Sequence, residues 1–163
     1  MPQNVLFLCT GNSARSIMAE ALLNALGGGR FKAYSAGSRP VGRVHALAIE
    51  LLNKHGYDTA GARSKSWDEF TIKGAPKMAY VITLCAEESD ATCPIFPGRA
   101  VRAHWPVADP AATSGNADAT RRAFLEALGI IRRRIQRFTG LPFESVDGPA
   151  LEGLIAEIGT ETA

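Results

Sequence analysis

The sequence predicts a single α/β domain, a four-stranded parallel sheet flanked by helices, on three observations. Four short apolar runs recur along the chain, apolar residues at helical spacing lie between and after them, and 163 residues suffice for one continuous core. No internal repeat or low-complexity tract interrupts the pattern.

Residues 5–8, Val-Leu-Phe-Leu, make an uninterrupted apolar run of the kind a buried strand gives. Ile17, Met18, Ala21, Leu22 and Ala25 follow at helical spacing, and Gly27, Gly28 and Gly29 end that helix. Residues 31–35 form the next strand, broken by Gly37 and Pro40, and Val44, Ala48, Leu51 and Leu52 suit a second helix stopping near Gly56. Residues 79–84 read as a central strand running into Cys85, and residues 100–104 as a shorter one before a Pro-rich loop around Trp105 and Asp109. Phe124, Leu128, Ile131, Ile135 and Phe138 mark one face of a long helix. Arg132, Arg133, Arg134 and Arg137 fall mostly off that stripe and read as a solvated face, not a nucleic-acid surface. Gly140-Leu141-Pro142 breaks the composition, after which Asp147-Gly148-Pro149 opens a short helix carrying Leu151, Leu154, Ile155 and Ile158. Residues 1–140 are thus expected to form the domain, and 141–163 a C-terminal extension with a short packed helix covering the sheet edge.

Hydrophobic residues at 46% and charged residues at 21% exclude disorder and fibrous repeats. Eighteen basic against 16 acidic residues leave +2, too weak a field to predict nucleic acid or an anionic membrane as partner. No apolar run approaches the roughly 18 residues that span a bilayer, and the N-terminus has no secretion-signal pattern, so a cytoplasmic location is expected. Three cysteines in a reducing compartment read as free or redox-active thiols. His45, His55 and His104 lack metal-ligand spacing, and no metal is expected.

The chemistry concentrates in Cys9-Thr10-Gly11-Asn12-Ser13-Ala14-Arg15-Ser16, a cysteine and an arginine five residues apart between a strand and a helix N-terminus. Backbone N–H groups of a tight loop entering a helix form an anion nest, and Arg15 adds a planar fork suited to a tetrahedral oxyanion. The same positive field stabilises a thiolate and makes Cys9 the nucleophile. Gly11 permits close backbone approach, Asn12 tolerates a left-handed conformation, and Ser13 and Ser16 can donate hydrogen bonds, Ser16 to the sulfur itself. A bare Cys-x5-Arg also fits a buried cysteine beside a capping cluster; the Gly, Asn and Ser between strand and helix favour the functional reading. No Gly-Lys-Ser/Thr follows, so this is not a Walker loop.

The segment from Val5 to Glu20 resembles the opening of the low-molecular-weight protein tyrosine phosphatase superfamily, specifically its arsenate reductase branch. Tyr34-Ser35-Ala36-Gly37, residues 81–85, Cys93-Pro94, Pro97-Gly98, His104-Trp105 and Asp109-Pro110 extend the resemblance over about residues 4–140. It implies a low-molecular-weight phosphatase-like fold with the oxyanion loop after the first strand. It also implies that Cys9 attacks arsenate held by residues 10–16 (Thr10, Gly11, Asn12, Ser13, Ala14, Arg15 and Ser16), while Asp109 protonates the departing oxygen. Cys85 and Cys93 would then carry the electrons away as a disulfide, reduced by an external thiol protein, thioredoxin in preference to glutaredoxin with glutathione. No bound cofactor is implied, and phosphate or sulfate would compete with arsenate.

Cys85 and Cys93 are separated by seven residues, which is neither Cys-x-x-Cys nor a usual zinc spacing. Closing them into a disulfide requires residues 86–92 to bend, so mobility is expected there. Ala14 stands where many relatives have another cysteine. The resemblance also places Asn12, Glu20 and Ser35 where some relatives bind potassium, with Lys65 at the position of an aspartate, so an ammonium is expected to replace the ion. Two rival functions share the loop: a tyrosine phosphatase using Cys9, Arg15 and Asp109, and a non-catalytic oxyanion sensor. Ala111-Ala112, where phosphatases usually carry aromatics, and the extra cysteines argue against the first; retention of both Cys9 and Asp109 argues against the second.

Overall fold

The computed structural model describes residues 2–85, 96, 99–113 and 115–160. Four parallel strands, β1 (Gln3–Cys9), β2 (Phe31–Gly37), β3 (Tyr80–Thr83) and β4 (Val101–His104), lie in the order β2-β1-β3-β4. Among the described residues the α-helices are α1 (Arg15–Leu26), α2 (Ala46–Lys54), α3 (Ala117–Thr139) and α4 (Gly148–Ile158), with short 3-10 turns at Trp67–Phe70 and Pro110–Ala112.

The continuous apolar run of β1 has a direct cause: the strand is hydrogen-bonded on both sides and buried on both faces. Val5 and Phe7 join the core beneath α1, α2 and α3, while Leu6 and Leu8 face a smaller cluster with Ala36, Phe70, Met78 and Val81. The seven-residue parallel ladder between β1 and β2 extends both strands beyond their apolar runs. β3 is shorter than expected because its ladder with β1 and β4 covers four residues; beyond it Leu84 keeps one backbone bond to Leu8.

The register brings the carboxyl ends of all four strands to one edge, with Cys9 opposite Gly37, Leu8 opposite Thr83 and Thr83 opposite His104. Open α/β sheets bind ligands at that edge. Gly37 is required there: a Cβ on it would stand 2.5 Å from the Thr10 carbonyl oxygen.

The long helix corrects one expectation. Arg132, Arg133 and Arg137 are exposed, but Arg134 is 8% exposed and donates from Nη1 to the Pro106 carbonyl at 2.8 Å. It sits at the border of the apolar stripe, next to Ile135 and three residues after Ile131, so its stem packs in the core while its head reaches a backbone acceptor.

Helix α4 is capped by Asp147, which accepts from the Ala150 amide, with Pro149 in the first turn. It buries Leu151, Ile155 and Ile158 and packs against β4. Trp105 donates its indole N–H to the Ile155 carbonyl at 2.9 Å and lies against Phe7 and Phe138. No helix among the described residues is long and apolar enough to cross a membrane.

Candidate active site

The chain leaves β1 at Cys9, turns through residues 10–14 and enters α1 at Arg15. Asn12 takes the left-handed conformation its residue type tolerates, with φ 46°. The loop carbonyls are engaged from outside: Cys9, Thr10, Gly11 and Ser13 accept from the amides of Ser38, Arg39, Val41 and His45. Because a trans peptide points N–H and C=O in opposite directions, the amides that follow these carbonyls turn inward. Ala14, at the N-cap of α1, supplies no side-chain cap to the first-turn amides. The result is a nest of donors facing a cleft of about 300 Å³, lined by the loop, by Arg39 and Val41, and by Asp109, Ala111 and Ala112.

Cys9 is 2% exposed, and its sulfur lies 2.8 Å from Ser16 Oγ. The direction of this bond follows from the neighbours. Asn12 Oδ1 accepts from the Lys65 amide at 2.9 Å, which fixes the orientation of the Asn12 carboxamide, and its Nδ2 donates to Ser16 Oγ at 2.7 Å. Ser16 therefore has its own O–H to give to the sulfur. A hydrogen bond to a charged acceptor contributes about 1.5 kcal/mol or more, so Ser16→Ala is expected to slow alkylation of Cys9 at neutral pH about tenfold, measured with iodoacetamide and peptide mapping.

Arg15 is 7% exposed. Its Nη1 donates to the Val107 carbonyl at 3.0 Å and its Nη2 lies 3.6 Å from Asp109 Oδ2. Asp109 is also the turn residue its place before Pro110 implied, accepting the Ala111 amide on Oδ1 at 3.0 Å. One carboxyl oxygen holds the turn while the other faces the guanidinium and the cleft.

Cys85 is buried just past β3, and Thr10 Oγ1 lies 3.2 Å from its sulfur. Sequence reasoning missed this contact, since only the β1–β3 register brings residues 75 positions apart together. Cys93 lies outside the described residues, as do residues 86–92, where mobility was expected. The cleft also includes Arg39, which sequence reasoning did not single out.

Behind the loop, the Lys65 ammonium donates to Ser35 Oγ at 3.2 Å and to the Arg63 carbonyl at 3.0 Å, and lies 3.6 Å from Glu20 Oε1. Lys65 thus meets Glu20 and Ser35 through its side chain and Asn12 through its backbone. Burial pushes the Glu20 carboxyl above its ordinary value and the Lys65 ammonium below its own, and mutual attraction opposes both shifts. Among the described residues no group of three or more His, Cys, Asp or Glu is placed to hold a metal.

A parallel α/β sheet with a thiol at the end of its central strand, an inward-facing nest of amides and a buried arginine defines the class of thiol proteins that handle tetrahedral oxyanions. The comparisons specify it further. The family model for low molecular weight phosphotyrosine protein phosphatase matches residues 4–147, and the chain belongs to that family. It is 33% identical to an arsenate reductase of Bacillus subtilis over 134 residues, 82% of this chain and 93% of that protein. An arsenate reductase solved in a phosphate-binding state superposes with a TM-score of 0.67 at 26% identity, covering 84% of this chain and 96% of the other. A thioredoxin-dependent arsenate reductase of Corynebacterium glutamicum superposes with a TM-score of 0.58 at 29% identity, covering 83% and 62%.

Proposed function

We propose that the protein reduces arsenate to arsenite by a relay of three cysteines. The observation that carries this reading is the second buried thiol, Cys85, at the same sheet edge as Cys9 and within hydrogen-bond reach of Thr10 in the oxyanion loop. Ester hydrolysis has no use for it. The names of the relatives support arsenate reduction as the reaction.

In the first step the Cys9 thiolate attacks arsenic, an arsenic–oxygen bond breaks, and Asp109 protonates the oxygen that leaves as water. The amides of the loop and Arg15 hold the charge that develops on the remaining oxygens. Cys85, as thiolate, then attacks the Cys9 sulfur. A sulfur–sulfur bond forms, the sulfur–arsenic bond breaks, and its electron pair stays on arsenic, which leaves as arsenite. Cys93 displaces Cys9 from Cys85, and the Cys85–Cys93 disulfide is returned to two thiols by an external dithiol, thioredoxin in the first instance. A reducing, cytoplasmic setting suits this cycle, and phosphate and sulfate compete for the loop.

The test is arsenite production with thioredoxin, thioredoxin reductase and NADPH. Cys85→Ala and Cys93→Ser are expected to lose multiple turnover, and Asp109→Asn to slow it about 10²-fold or more. Hydrolysis of an aryl phosphate that is indifferent to both cysteine substitutions, without arsenite formation, would establish the phosphatase reading instead. That second reading rests on Cys9, Arg15 and Asp109, which serve both chemistries, but Ala111 and Ala112 give the cleft no aromatic wall for a phenyl ring. Because the Lys65 ammonium takes the part of a monovalent cation behind the loop, rates in sodium and potassium buffers are expected to agree within experimental error. A several-fold rise with potassium would overturn that assignment.

A further inference from the structure

The loop that carries Asp109 is anchored at three consecutive residues by three different helices. Trp105 gives its indole N–H to the Ile155 carbonyl in α4 at 2.9 Å. The Pro106 carbonyl accepts from Arg134 in α3 at 2.8 Å, and the Val107 carbonyl accepts from Arg15 in α1 at 3.0 Å. The backbone is fixed as well, since the amides of Trp105 and Val107 donate to Thr83 and Leu84. Asp109 follows two residues later. On the α4 side the fit is close: a Cβ on Gly159 would stand 2.1 Å from the His104 carbonyl oxygen and 2.8 Å from Trp105 Cδ1. Helix α4 begins at Gly148, one residue beyond the family match.

We propose that Arg134 and helix α4 form a positioning clamp that sets the distance of Asp109 from the oxyanion loop. The inference rests on the reading of Asp109 as the general acid. A proton donor acts only within hydrogen-bond reach of the departing oxygen, and a displacement of about 1 Å costs roughly 10²-fold in rate. Arg15 is not the only anchor of that distance, because it also lines the cleft in which the oxyanion would sit. Arg134 holds the loop from behind with a side chain that is 8% exposed. Its planar guanidinium holds the Pro106 carbonyl, and Arg134 is not among the residues that line the cleft. Trp105, 1% exposed, transmits the position of α4 to the same stretch of backbone.

The clamp is tested by the single-turnover rate of arsenate reduction in the full chain, with Arg134→Met, Arg134→Lys, Trp105→Phe, Asp109→Asn and the double variant Arg134→Met/Asp109→Asn. Arg134→Met is expected to lower the rate 10- to 100-fold, with half-saturating arsenate and the rate of Cys9 alkylation within about twofold of wild type. Arg134→Lys, which retains a donor, recovers part of the loss, and Trp105→Phe, which removes the indole N–H together with the pyrrole half of the buried ring, gives a several-fold loss. In the Asp109→Asn background, Arg134→Met is expected to have no further effect, because it acts through Asp109. A second full loss in the double variant, or Cys9 alkylation falling in parallel with turnover, would show a general structural role and overturn the clamp. Asp109→Asn turning over at the wild-type rate would remove the general-acid reading itself, and the clamp with it. If Arg134→Met does not fold, Arg134→Lys and Trp105→Phe decide the matter, and wild-type rates in both would refute it.

Discussion

Cys9→Ser is expected to abolish arsenite formation, a loss on the order of 10⁴-fold or more, while phosphate still binds the loop within a few-fold of its wild-type affinity. The two effects separate because they rest on different atoms. In the proposed mechanism, oxyanion binding draws on inward-facing amides, held by the bonds that Cys9, Thr10, Gly11 and Ser13 carbonyls accept from residues 38–45, and on Arg15. None of these depends on sulfur. In the proposed relay, covalent capture of arsenic, and the transfer of its bond pair that follows, depends on sulfur alone. A serine hydroxyl accepts the Ser16 hydrogen bond but is far less acidic than a thiol and forms no disulfide with Cys85. Arsenite production with the thioredoxin system and phosphate titration by calorimetry read the two properties independently.

Lys65→Met is expected to destabilise the protein by about 3 kcal/mol, because it removes the ammonium from a largely buried Glu20 carboxylate and leaves it only the hydrogen bonds of Ser35. The side chains of Lys65 and Glu20 are 6% and 16% exposed, so solvent offers little replacement for the ammonium. Glu20→Gln/Lys65→Met is expected to recover most of the loss, since the double variant buries no charge. The pH dependence carries a definite sign. The folded Glu20 carboxyl lies above its ordinary 4.5, so its contribution is present below that value and is lost as pH rises through the folded one. The folded Lys65 ammonium lies below its ordinary 10.5, so its contribution is present above that value and is lost as pH falls through the folded one. In Lys65→Met the attraction that lowers Glu20 is gone, and its carboxyl moves further up. The penalty of the substitution therefore shrinks as pH falls toward 4.5, and urea denaturation at several pH values reads it directly.

What the sequence disclosed about the site was the part encoded locally. Cys9, Asn12, Arg15 and Ser16 lie within one turn-and-helix segment, so residue type and spacing alone placed the thiol beside a hydroxyl donor and an arginine, as the structure does at 2.8 Å for Ser16. The strands were legible because β1 and β3 are buried on both faces and read as unbroken apolar runs. What stayed hidden depended on tertiary register. The approach of Thr10 to Cys85 requires β1 and β3 to pair with Leu8 opposite Thr83. Arg134 was hidden by its neighbours: within three consecutive arginines the stripe rule assigns all to solvent, yet α3 turns the third toward a carbonyl that only the fold supplies. Trp105 was legible as a motif residue, but its acceptor belongs to α4, 50 positions away.

The most direct measurement is a single turnover without any reductant: fully reduced protein mixed with excess arsenate, arsenite quantified, and disulfides mapped by mass spectrometry. Two electrons reach arsenic and two thiols are oxidised, so the relay predicts one arsenite per chain and one new disulfide, joining Cys85 to Cys93, with Cys9 again free. No arsenite, or arsenite formed in the same amount by Cys9→Ser, would contradict it.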